Sequence, residues 1–355
     1  MDYKILVINP GSTTTKIAIY ENERELFCET LEHDINELER FQTIQDQFHM
    51  RKDMILSFLK DKGYNIEELS AIVGRGGMLP PVKSGAYRVN NIMVDRLKNR
   101  PAFEHASNLG ALIAYEIASI IDVPSYIYDS VRVDELTDIA RISGMPDISR
   151  TSTNHVLNSR AMAMKVAKKH GKNYNEITCI VAHLGGGISV NVQKKGKMID
   201  IIADDEGPLS PERAGRVPCK ALIDLCYSGK YDERTMHRKL RGSGGLKAYL
   251  NTHDAREVEK RIENGDKHAE LVYEAMAYQV AKGIGELATV VEGEIDYIIL
   301  TGGIAYSEMF TNWIIKRVKF IAPVEIMPGE NEMESLALGT LRVLRGEEEA
   351  NEYIE

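Results

Sequence analysis

One plan is written twice in this chain. Residues 4–22 run as a short apolar strand (KILVIN), a group of turn-formers (10–14) and an alternating strand (KIAIYEN). Residues 179–198, CIVAHLGGGISVNVQKKGKM, repeat it with an apolar strand, a glycine-rich turn, an alternating strand and a second glycine-containing turn. Each half then offers another strand ending in glycines, SAIVGRGG at 70–77 and DYIILTGGIA at 296–305. Self-similarity in a fixed order is the mark of duplication, carried here by pattern, since identity between the halves is weak. Helical spacing fills the intervals at 41–61 (Phe48, Ile55, Leu56, Leu59), 104–121, 267–291 and Met333 to about Glu352, and SYIYDS (125–130) reads as one more strand. Strands interleaved with helices predict α/β domains, with ligands at the glycine turns beyond the strand ends. The boundary is expected in the Ser-, Gly- and Pro-rich stretch 143–153. That gives a first domain at 1–150, completed by a C-terminal helix over 335–355, and a second at 151–334.

Composition narrows the partners. At 355 residues the chain is long for one core. Its net charge of −9 disfavours nucleic acid and anionic membrane, which call for clustered Lys and Arg. No run approaches the length of a membrane helix. Cys28, Cys179, Cys219 and Cys226 form no CxxC pair and no zinc spacing. Four scattered cysteines, and an opening MDYKILVINP without a long apolar stretch, lead to the expectation of a cytoplasmic protein.

The turn PGSTTTK at 10–16 is built for phosphate but is no Walker loop. It has one glycine, and a strand rather than a helix follows. The dinucleotide GxGxxG fingerprint is also absent. Instead the turn offers backbone N–H groups, four hydroxyls (Ser12, Thr13, Thr14, Thr15), Asn9 and Lys16. HLGGGIS (183–189), TGGIAYS (301–307) and GRGG (74–77) are three more glycine turns, each after a strand. Singly each is an ordinary tight turn; four in a duplicated plan point to a phosphate-handling site.

These segments carry a resemblance. INPGSTTTK, VGRGGMLPPVKSG with AYRVN, AHLGGGISV, DEGPLSPERAGRVP and LTGGIAYSE together resemble the acetate kinase family, and within it the butyrate kinase branch, over nearly the whole chain. The family belongs to the actin, sugar kinase and heat-shock ATPase superfamily. The resemblance implies two ribonuclease-H-like domains flanking an interdomain cleft. It implies ATP and a short-chain fatty acid as substrates, ADP and an acyl phosphate as products, Mg²⁺ as cofactor, and at least a homodimer.

It also implies roles. The first hairpin of acetate kinases reads NAGSSSLK; Asn9, Ser12, Thr14 and Lys16 fall on its Asn, first and third Ser, and Lys, around the transferred phosphoryl. His183, Gly185, Gly186 and Gly187 fall on the second phosphate hairpin, HLGNG, with Gly186 in place of Asn. Gly302, Gly303 and Ile304 fall on the adenosine segment. Arg75 and Arg213 are the expected catalytic arginines, with Arg216 a rival for the second. Asp129, Asn9 and Glu334 are the expected metal residues, with Glu330 and Glu332 rivals in register for Glu334. His105 falls near the substrate pocket, with a buried structural histidine as the other reading. Where acetate kinases have FHGTSH this chain has RTSTNH: Thr151 replaces the first histidine and His155 matches the second.

The chemistry agrees with such a set. A carboxylate is already ionised at pH 7, so the reaction needs no general base, only cations that bring two anions together. A sugar kinase would need a base aspartate, for which Asp129 and Asp204 are the available residues. An actin-like filament subunit or chaperone module would share the fold without the acid substrate. Acetate or propionate are the alternative acids within the family.

Overall fold

The computed structural model describes residues 2–355, which form two compact units. The first takes the chain up to Asp134 and then Asn331–Glu355; the second is Glu135–Glu330.

In the first unit β1 (Lys4–Pro10), β2 (Thr14–Glu21) and β3 (Arg24–Glu32) form an antiparallel meander. β4 (Ala71–Arg75) lies parallel to β1, and β6 (Ser125–Tyr128) parallel to β4, with β5 (Ala86–Arg88) between them in sequence. The sheet order is β12-β5-β6-β4-β1-β2-β3, closed at one edge by β12 (Asn351–Glu352). The inner strands are nearly continuous apolar runs because helices cover the sheet. Ile5, Leu6, Val7, Ile8, Ile72 and Val73 are all fully buried.

The second unit repeats the scheme. β7 (Thr178–Leu184), β8 (Ile188–Lys194) and β9 (Lys197–Ile202) form the meander. β10 (Tyr297–Gly302) lies parallel to β7, and β11 (Val324–Pro328) parallel to β10. The order β11-β10-β7-β8-β9 matches β6-β4-β1-β2-β3 strand for strand, so the duplication expected from the sequence is present in the topology.

Helices supply the remaining layers. In the first unit α1 (Phe48–Asp61) packs against α2 (Asn108–Ile120), which lies on β4. In the second, α3 (Val156–Lys169) packs on β7 and β10. Between β9 and the long helix α8 (Lys267–Val290) come four shorter helices, α4 (Cys219–Cys226), α5 (Glu233–Leu240), α6 (Gly245–Leu250) and α7 (Ala255–Glu263). α9 (Glu308–Val318) packs on α8, and Tyr273, Met276, Val280, Ile284, Phe310 and Ile314 join the core there. α10 (Glu332–Leu344) belongs to the first unit, where Leu336, Ala337 and Leu341 bury against β1 and β4.

The units divide earlier than the composition shift at 143–153. The reason is the bonding of the intervening stretch. The Met198 amide donates to Glu135, the Thr137 amide to the Ile199 carbonyl, and Arg150 to Asp200 and Glu206. Residues 135–150 are therefore stitched to β9 before the Ser- and Gly-rich stretch is reached. Among the described residues no helix is long and apolar enough to cross a membrane.

Candidate active site

Three adjacent parallel strands of the first unit end on candidate site residues. Ile8 of β1 pairs with Gly74, and Arg75 of β4 pairs with Tyr128. The residues just past those positions place Asn9, Arg75 and Asp129 at one end of the sheet. This is where parallel sheets bind ligands.

Asn9 pairs across the hairpin with Lys16, so both side chains lie on one face. On that face Asn9 Nδ2 donates to Glu332 Oε2 at 2.8 Å, and Arg75 NH1 lies 2.8 Å from Glu332 Oε1. The expected acid was Glu334, with Glu332 a rival in register. The structure brings Glu332 to this cluster. Two helical positions on, Glu334 turns away and lies near Tyr20 instead. Among the described residues no group of three His, Cys, Asp or Glu side chains could hold a metal ion. Both Glu332 oxygens already take a partner, Asn9 and Arg75, which leaves their remaining lone pairs and the Asn9 amide oxygen for a cation that keeps most of its shell as water and phosphate. Mg²⁺ is such a cation.

The turn between β1 and β2 is small and specific. Ser12 and Thr13 are exposed, and their amides have no partner among the described residues. Thr15 points the other way, fully buried, against His33 at 2.8 Å. His33 is held neutral well below its ordinary range, at about 4, by burial and then by the charge of Arg51.

Asp129 is buried at a positive φ of 43°, and its Oδ1 accepts from the Gly85 amide while its own amide donates back to the Gly85 carbonyl. It holds the segment between β4 and β5 against the end of β6. His105 is exposed, not a buried structural histidine; its Nδ1 accepts from the Ser107 amide just before α2.

The second unit holds a cavity of about 670 Å³. Gly185 and Gly186 of the second hairpin turn, Gly303 and Ile304 after β10, and Glu330 line one side. Tyr306, from the same TGGIAYS stretch, lines the rest together with residues that the sequence pattern did not single out, His253, Arg256, Glu259 and Tyr273. Gly302 sits beneath it at φ 90°, where a Cβ would lie 2.5 Å from the Leu184 carbonyl, so only glycine lets β10 turn against β7. Gly186 has more space, the nearest atom to a built Cβ being Glu212 at 3.6 Å. Gly187 lies against Asp204.

His183 and His155 stack with ring centroids 3.9 Å apart. His183 Nδ1 lies 3.0 Å from Asn158 Nδ2, which also donates to Thr301, and its Nε2 lies 3.5 Å from Glu330. His155 Nδ1 lies 3.0 Å from Ser189 Oγ. His155 is thus the histidine seated by the second turn, whereas Thr151 is exposed on the loop before α3.

Arg213 and Arg216 separate clearly. Arg213 donates to Asp204 at 3.2 Å, and Arg241 reaches the same Asp204 oxygen at 3.1 Å. Asp204 is buried beside Gly187, so it fixes Arg213 near the second turn. Arg216 is half exposed, tied to Glu286 and to the Glu206 carbonyl.

The sequence reading also missed Arg51. It had a signal: Arg51, Ile55 and Leu59 share the buried stripe of α1 at intervals of four. An arginine on an apolar stripe needs a partner, and here the partner is the first hairpin turn.

Comparison with known proteins follows this geometry. Residues 150–337 match the acetokinase family. Butyrate kinase 2 of Clostridium acetobutylicum is 51% identical over 355 residues, covering 99% of this chain and 100% of that protein. Butyrate kinase 1 of the same organism is 52% identical over 353 residues, covering 99% of each. The fold matches that of an acetate kinase from Porphyromonas gingivalis, with TM-score 0.80 at 19% identity over 96% of this chain and all of that one. It also matches a propionate kinase from Francisella tularensis, with TM-score 0.73 at 18% identity over 95% and 98%. A ROK family protein from Streptococcus pneumoniae shares the broader fold at TM-score 0.52 and 12% identity, over 97% of this chain and 100% of that one. Half the sequence shared over full length with butyrate kinases, on this duplicated fold, leaves one conclusion: the chain belongs to the acetokinase family.

Proposed function

We propose that this protein transfers the terminal phosphoryl of ATP to the carboxylate of butyrate, giving butyryl phosphate and ADP, reversibly and by direct in-line displacement. The observation that carries the reading is the full-length identity of about one half to two butyrate kinases. Isobutyrate and other short branched acids are the neighbouring substrates. No feature of the site favours a sugar. Asp129 is engaged with Gly85 and Asp204 with two arginines, so both carboxylates are committed to charge and hydrogen-bond partners.

The roles follow from charge. The butyrate carboxylate is ionised and attacks without a base. Arg75 and Arg213 offset the repulsion between it and the phosphoryl oxygens. Ser12, Thr14, Lys16 and the turn amides take phosphoryl oxygens, and His105 lies toward the acid. Gly185, Gly186, Gly187, His183, Gly302, Gly303 and Ile304 hold the nucleotide. Asn9 and Glu332 would hold Mg²⁺, which would supply positive charge against the phosphates, and Asp129 would support the same region. A homodimer in the cytoplasm completes the proposal; the four free cysteines are in keeping with a reducing compartment.

A hydroxamate assay tests it, with ATP, Mg²⁺ and acetate, propionate, butyrate, isobutyrate or valerate. Glucose and glycerol serve as ADP-release controls. The expected signal peaks at the four-carbon acids. A peak at acetate would overturn the choice of acid. ADP release with a polyol and no hydroxamate would overturn the acceptor class.

A further inference from the structure

Arg51 is fully buried, and every donor of its guanidinium is spent on one small region. NH1 donates to the Gly11 carbonyl at 2.9 Å, to the Thr14 carbonyl at 2.9 Å and to Thr15 Oγ1 at 3.0 Å. NH2 donates to the Ser12 carbonyl at 2.9 Å and to Gln47 Oε1 at 2.8 Å, and Nε donates to the same Gln47 oxygen at 3.1 Å. No carboxylate pairs with it among the described residues, and the nearby His33 is neutral. A buried guanidinium with no counter-ion is costly and is retained for a reason.

The peptide geometry supplies the reason. A trans peptide is planar, with its C=O and the following N–H pointing in opposite directions. Drawing the carbonyls of Gly11, Ser12 and Thr14 onto one guanidinium therefore turns the amides of Ser12, Thr13 and Thr15 away from it. The first two of these are the amides that have no partner. One side of the turn becomes a fan of free N–H groups, and the other carries a fixed positive charge. Such a nest is shaped for an anion, and the anion would be the missing counter-ion.

We propose that Arg51 is a positioning residue for phosphoryl transfer: it fixes the first hairpin turn with its amides facing the reacting phosphoryl, whose charge balances its own. This rests on the kinase reading above, in which that turn holds the transferred group. Arg51 belongs to the first unit and is not among the residues that line the proposed nucleotide cavity of the second. Its loss should therefore weaken the transition state and leave nucleotide affinity alone, a split that general destabilisation does not produce.

The test compares Arg51→Lys and Arg51→Gln with the parent protein in the hydroxamate assay, alongside thermal melting with and without inorganic phosphate. Lys keeps the charge but cannot fork to three carbonyls. Both variants should lose about 100-fold in kcat, the scale of a lost anion-stabilising donor, with KM for ATP changed less than about threefold. Folded variants with near-parent kcat, or a loss confined to KM for ATP, overturn the proposal. If both variants fail to fold, Gln47→Met decides. It removes the carbonyl that aims the guanidinium and should lower kcat several-fold at constant KM for ATP; unchanged kcat overturns the proposal. If the parent protein phosphorylates no carboxylate, the kinase reading fails separately. Arg51 is then judged by melting: phosphate should raise the parent's midpoint and not that of Arg51→Lys, and an equal rise in both overturns it.

Discussion

At the residue scale, the register of one acid separates two readings of where the proposed Mg²⁺ would bind. Glu332 and Glu334 stand two apart on the first turn of α10, so they point to opposite sides of it. Only Glu332 reaches Asn9 and Arg75. The NEMES segment shows three acids within five positions, counting Glu330, and pattern alone cannot choose among them. The choice depends on where the helix axis crosses the end of β1, which is a tertiary fact. Glu332→Gln keeps the hydrogen bond acceptor but removes the charge. It should raise the Mg²⁺ concentration needed for half-maximal rate by about 10- to 100-fold, the usual effect of disturbing a metal ligand or its support. Glu334→Gln should stay within about twofold of the parent protein in the same Mg²⁺ titration. Equal effects of the two substitutions would return the metal role to Glu334.

At the element scale, the strands and long helices were legible because their periodicity is strong. KILVIN became β1 with one residue added, and 267–291 became α8. The four helices between β9 and α8 were not read. They are only six to nine residues long, and α4 buries no side chain and α5 only Met236, so each is too short to show the repeat that reveals a helix. The packing of α2 on β4 was also hidden, because it depends on two glycines far apart in sequence. A Cβ on Gly74 would lie 2.2 Å from the Gly110 carbonyl oxygen, and one on Gly110 would lie 2.6 Å from the Arg75 carbonyl oxygen. The helix touches the strand backbone where Arg75 begins. Gly110→Ala should therefore cost about 1–3 kcal/mol, as overpacking does, and should lower kcat by displacing Arg75. Gly285→Ala, on α8 with open space around it, should be neutral or stabilising by up to about 1 kcal/mol. Denaturant unfolding and turnover on both variants check the pair, and a Gly110→Ala protein as stable and active as the parent would refute the close-contact account.

At the scale of the whole molecule, the two units differ in how the chain builds them. The second is one continuous stretch, Glu135–Glu330, with its own core and the whole lining of the cavity proposed for the nucleotide. The first is completed only when the chain returns. Gly339 of α10 packs on the Tyr128 ring, Arg342 donates to the Tyr128 hydroxyl at 2.6 Å, and β12 pairs with β5. Asn90 donates to the Tyr353 carbonyl, and Arg345 pairs with Glu23. Removing that return strips the cover from β1 and β4 and exposes Val7- and Val73-type core surface, on the face that carries Asn9 and Arg75, at roughly 25 cal/mol for each Å² of apolar area. A protein ending at Glu330 should thus lose the melting transition of its first unit. Residues 135–330 expressed alone should melt cooperatively and bind ATP within about tenfold of the full chain's affinity, since the cavity contacts are all retained. It should form no hydroxamate, having lost Arg75 and the first hairpin turn. Calorimetry and ATP titration on the two fragments test this directly. If residues 135–330 fail to fold, the second unit is not self-sufficient; if the chain ending at Glu330 keeps both transitions, the C-terminal return is not what completes the first.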